Sequence, residues 1–474
     1  MKRNGLAVLM VGLLCALSAH ADAKSDALMG AARSNNATEA QRLIAAGANV
    51  NAKDNKGYTA LMFAAGNNAA DVAKLLIAAK ADVNAKANDG ATALILTASK
   101  NAANVARLLI AAGVDVNAKT NDGYTALMVA AGENAADVAR LLITAKADVN
   151  AKSNDGYTAL MVAAENNAAD VAKLLIAAKA DVNAKDNDGY TALMYAAGDN
   201  AADVAKLLIA AKANVNAKTD DGLTALMTAA AGNAADVAKL LIAAKADVNA
   251  KDKYGRTALM FAAVNNAADV AKLLIAAKAD VNAKDNNGGT ALMAAARYNA
   301  VDVAKLLIAA GADMNAKDND GMTALIWAAI ENAVDAAKLL IESGADVNAK
   351  DDNGGTALMY AAWKNAADVA KLLIAAGADM NAKDKDGWTA LIWAAIENAV
   401  DAAKLLIESG ADMNTKYKYG RTALMVAEMH NAVDAAKLLI ASGADVNAKT
   451  NDGDTALMDA AYRDADDLAK LLAD

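Results

Sequence analysis

A threonine returns at every 33rd position of this 474-residue chain, with no change of spacing. Each threonine is followed by Ala-Leu, usually by Met, and then by a variable residue and two small residues. A second apolar run, such as the one at 203–211, comes about ten residues later. A fixed period of this length is typical of a repeat array, in which each unit packs on its neighbours instead of around one central core. The threonines are Thr59, Thr92, Thr125, Thr158, Thr191, Thr224, Thr257, Thr290, Thr323, Thr356, Thr389, Thr422 and Thr455.

Each unit is predicted to contain two helices. A turn such as Asp188-Gly189 lets the backbone reverse, and the threonine that follows is suited to cap the N-terminus of a helix. In that first helix, Leu193, Ala196 and Ala197 fall on one face. The second helix places apolar residues at i, i+3, i+4 and i+7, which predicts a buried stripe. The stripe comprises Val204, Leu207, Leu208 and Ala211.

These motifs resemble the ankyrin repeat. Thr191 to Ala196 corresponds to the T-P-L-H-x-A core of that family, with Ala and Met in place of its Pro and His, and Gly344 to Asn348 corresponds to its G-A-D-V-N segment. The resemblance covers thirteen copies with the threonine and one degenerate copy that starts at Asp26, about fourteen in all. It implies an all-α solenoid of helix-turn-helix units, joined by β-hairpin-like loops and arranged in a superhelical arc.

The first 23 residues have the pattern of a secretory signal peptide. Lys2 and Arg3 precede an apolar stretch at 6–17, and two Ala-x-Ala sites place cleavage after residue 21 or 23. An uncleaved membrane anchor is the alternative, but the stretch is short for a span. We therefore predict an exported bacterial-type protein, periplasmic or else extracellular, without stable membrane insertion after cleavage. The remainder divides into an N-terminal capping repeat at 24–53, twelve interior repeats at 54–449 and a C-terminal capping repeat at 450–474.

Two positions that hold glycine in the family hold other residues here. Asn stands between the two helices of each repeat from Asn68 through Asn431, and because Asn tolerates a left-handed backbone, we expect the helix end to be preserved. At the end of the second helix, several repeats carry Lys in place of Gly. A lysine held at positive φ costs about 1 kcal/mol, so the sequence predicts a less stable N-terminal half. The lysines are Lys80, Lys146, Lys179, Lys212, Lys245 and Lys278, and glycine is kept at Gly311, Gly344, Gly377, Gly410 and Gly443.

The sequence offers little for catalysis or metal binding. Beyond the predicted signal peptide it has one histidine, His430, and the single cysteine, Cys15, lies within that peptide. Zinc sites and Cys/His or Ser/His/Asp catalysis therefore lack their residues. The Asp-Asn-Asp-Gly turns also lack the acidic spacing of a calcium loop. A net charge of −9, with signs that alternate within each repeat, argues against a nucleic-acid partner. We expect no enzyme activity, no cofactor and no metal.

Aromatic residues mark the candidate binding surface. The residue after the Met of each first helix and the residue after each turn glycine are expected to form one strip. In ankyrin-like proteins this strip is the concave helix/hairpin face. All four tryptophans fall within three consecutive repeats, and Trp and Tyr dominate the hot spots of protein interfaces. The predicted protein-binding residues are Tyr190, Tyr195, Trp327, Tyr360, Trp363, Trp388 and Trp393.

Contact between repeats is the other explanation for these aromatic residues. Trp327 and Trp393 fit it equally well, because the position after the Met is commonly aromatic in the family. Trp363 and Trp388 occupy positions that hold Gly, Glu, Tyr or Arg elsewhere, which favours exposure there.

The sequence as a whole predicts a non-catalytic, exported and monomeric scaffold that binds one or more proteins. Two alternatives remain open, a self-associating structural protein and a secreted effector that binds a host protein.

Overall fold

The computed structural model describes residues 23–462 and Leu472. The signal peptide predicted at 1–23 lies outside this range except for Ala23, and so does the part of the C-terminal capping repeat after Tyr462, apart from Leu472. Within the described residues, no helix combines the length and the apolar character that a membrane span requires.

The chain divides into two compact units. The first runs to Asn187 and includes Ala210–Ala213, and the second comprises Asp188–Ile209 and continues from Asn214. Both units are built from short helices in pairs, a first helix followed by a second helix, which confirms the predicted all-α helix-turn-helix repeats.

The first unit contains five first helices and five second helices among the described residues. The first helices are α1 (Ala23–Arg33), α3 (Ala60–Gly66), α5 (Ala93–Ala98), α7 (Ala126–Gly132) and α9 (Ala159–Glu165). The second helices are α2 (Ala37–Ala45), α4 (Ala70–Ala78), α6 (Ala103–Ala111), α8 (Ala136–Thr144) and α10 (Ala169–Ala177).

The second unit continues the same alternation. Its first helices are α11 (Ala192–Gly198), α13 (Ala225–Ala231), α15 (Ala258–Val264), α17 (Ala291–Arg297), α19 (Ala324–Ile330), α21 (Ala357–Trp363), α23 (Ala390–Ile396), α25 (Ala423–Met429) and α27 (Ala456–Tyr462). Its second helices are α12 (Ala202–Ala210), whose last residue is assigned to the first unit, α14 (Ala235–Ala243), α16 (Ala268–Ala276), α18 (Val301–Ala309), α20 (Val334–Glu342), α22 (Ala367–Ala375), α24 (Val400–Glu408) and α26 (Val433–Ala441).

The loop before each first helix is a tight turn. In the loop at 54–58, the Gly57 N–H donates to the Asp54 carbonyl oxygen at 2.9 Å, and the Asp54 N–H donates to the Tyr58 carbonyl oxygen at 3.0 Å. This is the predicted hairpin-like geometry. The described residues contain no β-strand, only two isolated bridges, Lys119 with Thr125 and Lys350 with Thr356.

The buried residues are the predicted ones in the first helix but only partly so in the second helix. Leu193, Ala196 and Ala197 are all buried, as expected. In α12 the buried residues are Val204, Ala205 and Leu208, whereas Leu207 and Ala211 are only half-buried, so the predicted stripe was wrong at these two positions. The short second helices pack against their own first helix and against the second helices of neighbouring repeats, as α14 does against α13 and α16. Small alanines at the closest approach permit this.

The predicted left-handed positions are confirmed. The asparagines between the helices, such as Asn332 and Asn365, have φ between 48° and 54°. The six lysines that replace glycine, such as Lys245, have φ between 63° and 66°. Whether the N-terminal half is less stable stays a prediction.

Neighbouring repeats are joined by hydrogen bonds that recur along the array. In the second unit, Lys350 Nζ donates to the Lys383 carbonyl oxygen at 2.8 Å, and the Asp379 N–H donates to Asn348 Oδ1 at 2.8 Å. Asn365 Oδ1 accepts from the Ala402 N–H, in the next repeat, at 3.0 Å. Each loop is therefore held by its neighbours as well as by its own turn.

Candidate protein-binding surface

The two sequence positions predicted to form the strip do meet within individual repeats. The residue after the turn glycine contacts the residue after the Met, five positions later. The ring centroids lie 5.7 Å apart for Tyr190 and Tyr195 and 5.5 Å apart for Trp388 and Trp393. We call the surface formed by these two positions the first-helix face.

Five rings of the second unit form one contiguous group, which we call the aromatic cluster: Tyr360, Trp363, Trp388, Trp393 and Tyr417. The centroid of the Trp393 ring lies 6.1 Å from that of Tyr360, 6.0 Å from that of Trp363 and 5.5 Å from that of Trp388. The Tyr417 ring lies 5.9 Å from the Trp388 ring. All five side chains are partly exposed. The rings therefore join three consecutive repeats: Tyr360, Trp388 and Trp393 belong to the first-helix face, and Trp363 and Tyr417 lie beside it.

A loop aspartate nine residues earlier anchors the aromatic residue after the Met or Ile. Asp384 Oδ2 accepts from Trp393 Nε1 at 3.1 Å, and Asp351 Oδ2 accepts from the Tyr360 hydroxyl at 2.5 Å. The same carboxylates accept backbone N–H groups of their own turns, as Asp384 Oδ1 does from the Trp388 N–H at 2.8 Å. Burial, and then the hydrogen bond and charge of Asp351, raise the pKa of Tyr360. These rings are thus fixed to the loops by their polar ends.

Trp363 lies at the end of α21 and contacts the following repeat. Its Nε1 donates to Glu397 Oε1 at 3.0 Å, and the Lys364 ammonium lies 3.8 Å from its ring centroid. Trp388 differs from the other three tryptophans, since its buried Nε1 has no acceptor within the described part of the chain. All four tryptophans, Trp327 and Trp393 included, are partly exposed.

The structure does not place every predicted site residue in the aromatic cluster. Trp327 has the same anchor as Trp393, with its Nε1 3.0 Å from Asp318 Oδ2, but the Arg297 guanidinium lies 4.6 Å from its ring centroid. Tyr190 and Tyr195 contact each other five repeats before the cluster. The cluster therefore unites four of the seven predicted residues.

Tyr417 was not among the predicted site residues. It stands where most repeats carry the loop Asp, Thr or Ser, and the turn reads Lys-Tyr-Lys-Tyr-Gly-Arg instead of a form such as Lys-Asp-Asn-Asp-Gly-Tyr. This turn also contains a 3-10 helix, Lys418–Gly420, and Tyr419 has φ 66°. This departure from the repeat consensus is the sequence feature by which Tyr417 could have been found.

The aromatic rings of this surface are suited to contact with a partner. Aromatic rings remove a large area from water and lose few torsions on binding. Among residues 23–462, no group of three or more His, Cys, Asp or Glu side chains is placed to hold a metal ion.

Comparison with known families agrees with the repeat geometry. A family model described as "Ankyrin repeats (3 copies)" matches residues 82–153, 134–219, 200–285, 277–351, 349–417 and 411–474. A second model, described as "Ankyrin repeats (many copies)", matches residues 43–96. No curated protein matches the chain. With the family models matched from residue 43 to residue 474, the chain belongs to the ankyrin-repeat family.

Proposed function

We propose that the chain is an exported, non-catalytic scaffold that binds a protein through its aromatic cluster. Ankyrin repeats generally mediate protein–protein interaction. The observation that supports this particular surface is the contiguity of five partly exposed rings across three repeats. Most other repeats carry a small or aliphatic residue at one or both positions of the first-helix face.

The anchoring of the rings supports the same proposal. Asp351 and Asp384 hold Tyr360 and Trp393 in fixed orientations, and Glu397 holds Trp363. A side chain that is already ordered loses little conformational entropy when a partner covers it. The aromatic cluster is therefore pre-organised for binding.

The test is affinity capture followed by binding of the purified partner. The bait is the chain from residue 24, and the source is the periplasmic and secreted fractions of the producing cell. The binding variant is Trp363→Ala/Trp393→Ala. The control is Trp327→Ala, because 323–346 and 389–412 are identical in sequence and Trp327 has the same aspartate anchor.

We expect a protein that is captured by the parent and by Trp327→Ala, binds each saturably when purified, and is lost with the double variant. Circular dichroism and urea unfolding must show that the double variant is folded. If capture is equal for all three baits, or depends on Trp327 as strongly as on the cluster, the proposed surface is wrong. Concentration-dependent mass of the bait alone would point to self-association instead.

Export is the second part of the proposal. It rests on the basic start, the apolar stretch and the Ala-x-Ala sites at the N-terminus of the sequence. N-terminal sequencing of the protein recovered from the periplasm of a bacterial host should begin at Asp22 or Lys24. Recovery only from the cytoplasm, with residues 1–21 intact, would contradict it.

A further inference from the structure

A cavity of about 510 Å³ lies beside the aromatic cluster, among three consecutive loops. The first loop contributes Trp388, the second contributes Tyr417, and the third follows α26. This cavity is formed where the turn at 417–421 departs from the repeat consensus. Tyr419 has a left-handed backbone without being Gly or Asn, and it is 61% exposed. Backbone strain of this kind concentrates at functional sites.

Two aromatic rings form a corner of the cavity. The planes of Trp388 and Tyr417 are 89° apart, with the ring centroids separated by 5.9 Å. Trp388 is also the tryptophan whose N–H is not bonded to an acceptor within the described residues, so its ring is not anchored as that of Trp393 is. A cation placed against the faces of such rings is attracted by their quadrupoles.

Three carboxylates line the same cavity, those of Asp386, Asp452 and Asp454. None of them has a salt-bridge partner among the described residues, where the ion pairs involve other side chains. The carboxylates and the aromatic corner together favour a positively charged occupant.

The two basic residues of the cavity are already engaged. Arg421 Nη2 lies 3.9 Å from Asp459 Oδ2, and its Nη1 lies against the Met429 sulfur. Lys418 Nζ lies 5.6 Å from the centroid of the Tyr419 ring. Three aspartates against these two cations leave the cavity lining with one negative charge in excess.

An equivalent turn five repeats earlier shows what Tyr417 changes. There Arg256 Nε donates to Asp252 Oδ2 at 2.8 Å, so the loop aspartate holds the arginine. Tyr417 replaces that aspartate, so an aromatic ring stands in place of the carboxylate, and Arg421 Nη2 lies 3.9 Å from Asp459 Oδ2.

We propose that this cavity binds a basic side chain of the protein partner, a lysine or arginine that lies against Trp388 and Tyr417 and faces the three aspartates. The proposal rests on the proposed function, since it names the chemistry that the partner presents next to the aromatic cluster. The partner is thereby expected to carry an exposed basic residue beside an apolar contact area.

The test is ¹⁹F NMR of the chain labelled with 5-fluorotryptophan. The four resonances are assigned by single Trp→Phe variants. The probe is the peptide acetyl-Gly-Gly-Lys-Gly-Gly-amide, and the matched probe carries norleucine in place of Lys, which keeps the alkyl chain and removes the charge. Peptides with Arg and with Glu at the same position complete the series.

We expect the Lys and Arg peptides to shift the Trp388 resonance saturably, with dissociation constants in the millimolar range, and to leave the Trp327 resonance unchanged. The norleucine and Glu peptides should not shift it. Tyr417→Thr should weaken the Lys peptide at least about tenfold, which corresponds to about 1.4 kcal/mol. Thr occupies the equivalent loop position at Thr120, Thr219 and Thr450, so this variant suits the fold.

An equal shift with norleucine, a shift with Glu only, or no Trp388 shift up to about 10 mM Lys peptide would overturn the proposal. These outcomes are independent of the capture experiment. If capture depends on Trp363 and Trp393 while the Lys peptide leaves Trp388 unchanged, the cavity proposal fails and the proposed function stands. If the Lys peptide binds but no protein is captured, the affinity of the cavity for a basic side chain is confirmed and the proposed function fails.

Discussion

Two glycines of one repeat allow the contact between neighbouring repeats to be measured by itself. Gly321, in the loop before α19, has φ 79°, and Gly344, after α20, has φ 93°, so both lie in the left-handed region. A Cβ added at Gly321 would lie 2.5 Å from the backbone nitrogen of Asp352, in the next repeat. A Cβ added at Gly344 would meet nothing within 4 Å. The pair Gly321→Ala and Gly344→Ala therefore shares backbone strain and differs in the steric contact.

The expected free energies of unfolding follow from these distances. Left-handed strain costs each alanine about 1 kcal/mol, and the smaller freedom of the unfolded chain offsets about 0.4–1 kcal/mol of it. Gly344→Ala should thus stay within about 1 kcal/mol of the parent. Gly321→Ala must also displace the 351–352 backbone, where the Asp352 N–H donates to the Asp320 carbonyl oxygen at 3.1 Å. The weakened bond and the forced shift add about 2–4 kcal/mol.

Urea unfolding followed by far-UV circular dichroism checks this difference. The stability of a solenoid is a sum of repeat and interface contributions, so one broken interface should also broaden the transition and lower its denaturant slope. Gly321→Ala is expected to show both changes and Gly344→Ala neither. Equal losses in the two variants would refute the idea that the turn glycines are required by the approach of the next repeat.

Three further predictions concern stability. Lys245→Gly should raise the free energy of unfolding by about 0.5–1 kcal/mol, because it relieves the strain of a left-handed backbone. Lys239→Gly, at an exposed position within α14, should lower it by about 1 kcal/mol. If urea unfolding ranks the two variants in the opposite order, the strain argument is contradicted. The Thr323 hydroxyl accepts from the Ile326 N–H at 3.4 Å, whereas Thr389, in an identical segment, makes no such bond. In the same assay, Thr323→Ala should therefore lower the free energy of unfolding by about 1 kcal/mol and Thr389→Ala by clearly less. Burial, with a smaller effect of Asp89, raises the pKa of Tyr58 to about 12, whereas the unfolded tyrosine ionises near 10, so the stability should be full below about pH 10 and fall as the pH rises towards 12. Tyr58→Phe should flatten that fall when thermal unfolding is followed between about pH 9 and 12. An unchanged slope would contradict this prediction.

Much of the fold could be predicted from the sequence because one local pattern is repeated. Asn and Lys at positions that need a left-handed backbone gave the helix ends, and the spacing of Leu and Ala gave the buried face of the first helix. The stripe of the second helix was less predictable. The second helix is only nine residues long, and a counterpart such as α14 packs against α13 and α16. Burial of Ala205 instead of Leu207 therefore depends on how closely such neighbours approach.

The candidate site was predictable in position but not in its internal bonds. The aromatic residues could be read from the sequence, yet their relation to the loop aspartates could not. Asp384 looks like an ordinary turn residue, and only the three-dimensional turn brings its second oxygen to Trp393. The bond from Trp363 to Glu397 crosses between repeats. The first contact depends on the folded turn and the second on the stacking of repeats, so neither follows from the sequence pattern within one repeat.

The dissociation constant of the captured protein for Trp393→Ala, set against that for Trp327→Ala, tests the central claim most directly. The two residues share sequence surroundings and an aspartate anchor, and only Trp393 lies in the aromatic cluster. The account predicts about a 30-fold or larger weakening for Trp393→Ala, as for a hot-spot residue worth about 2 kcal/mol, and less than about threefold for Trp327→Ala. Equal effects of the two substitutions would contradict it.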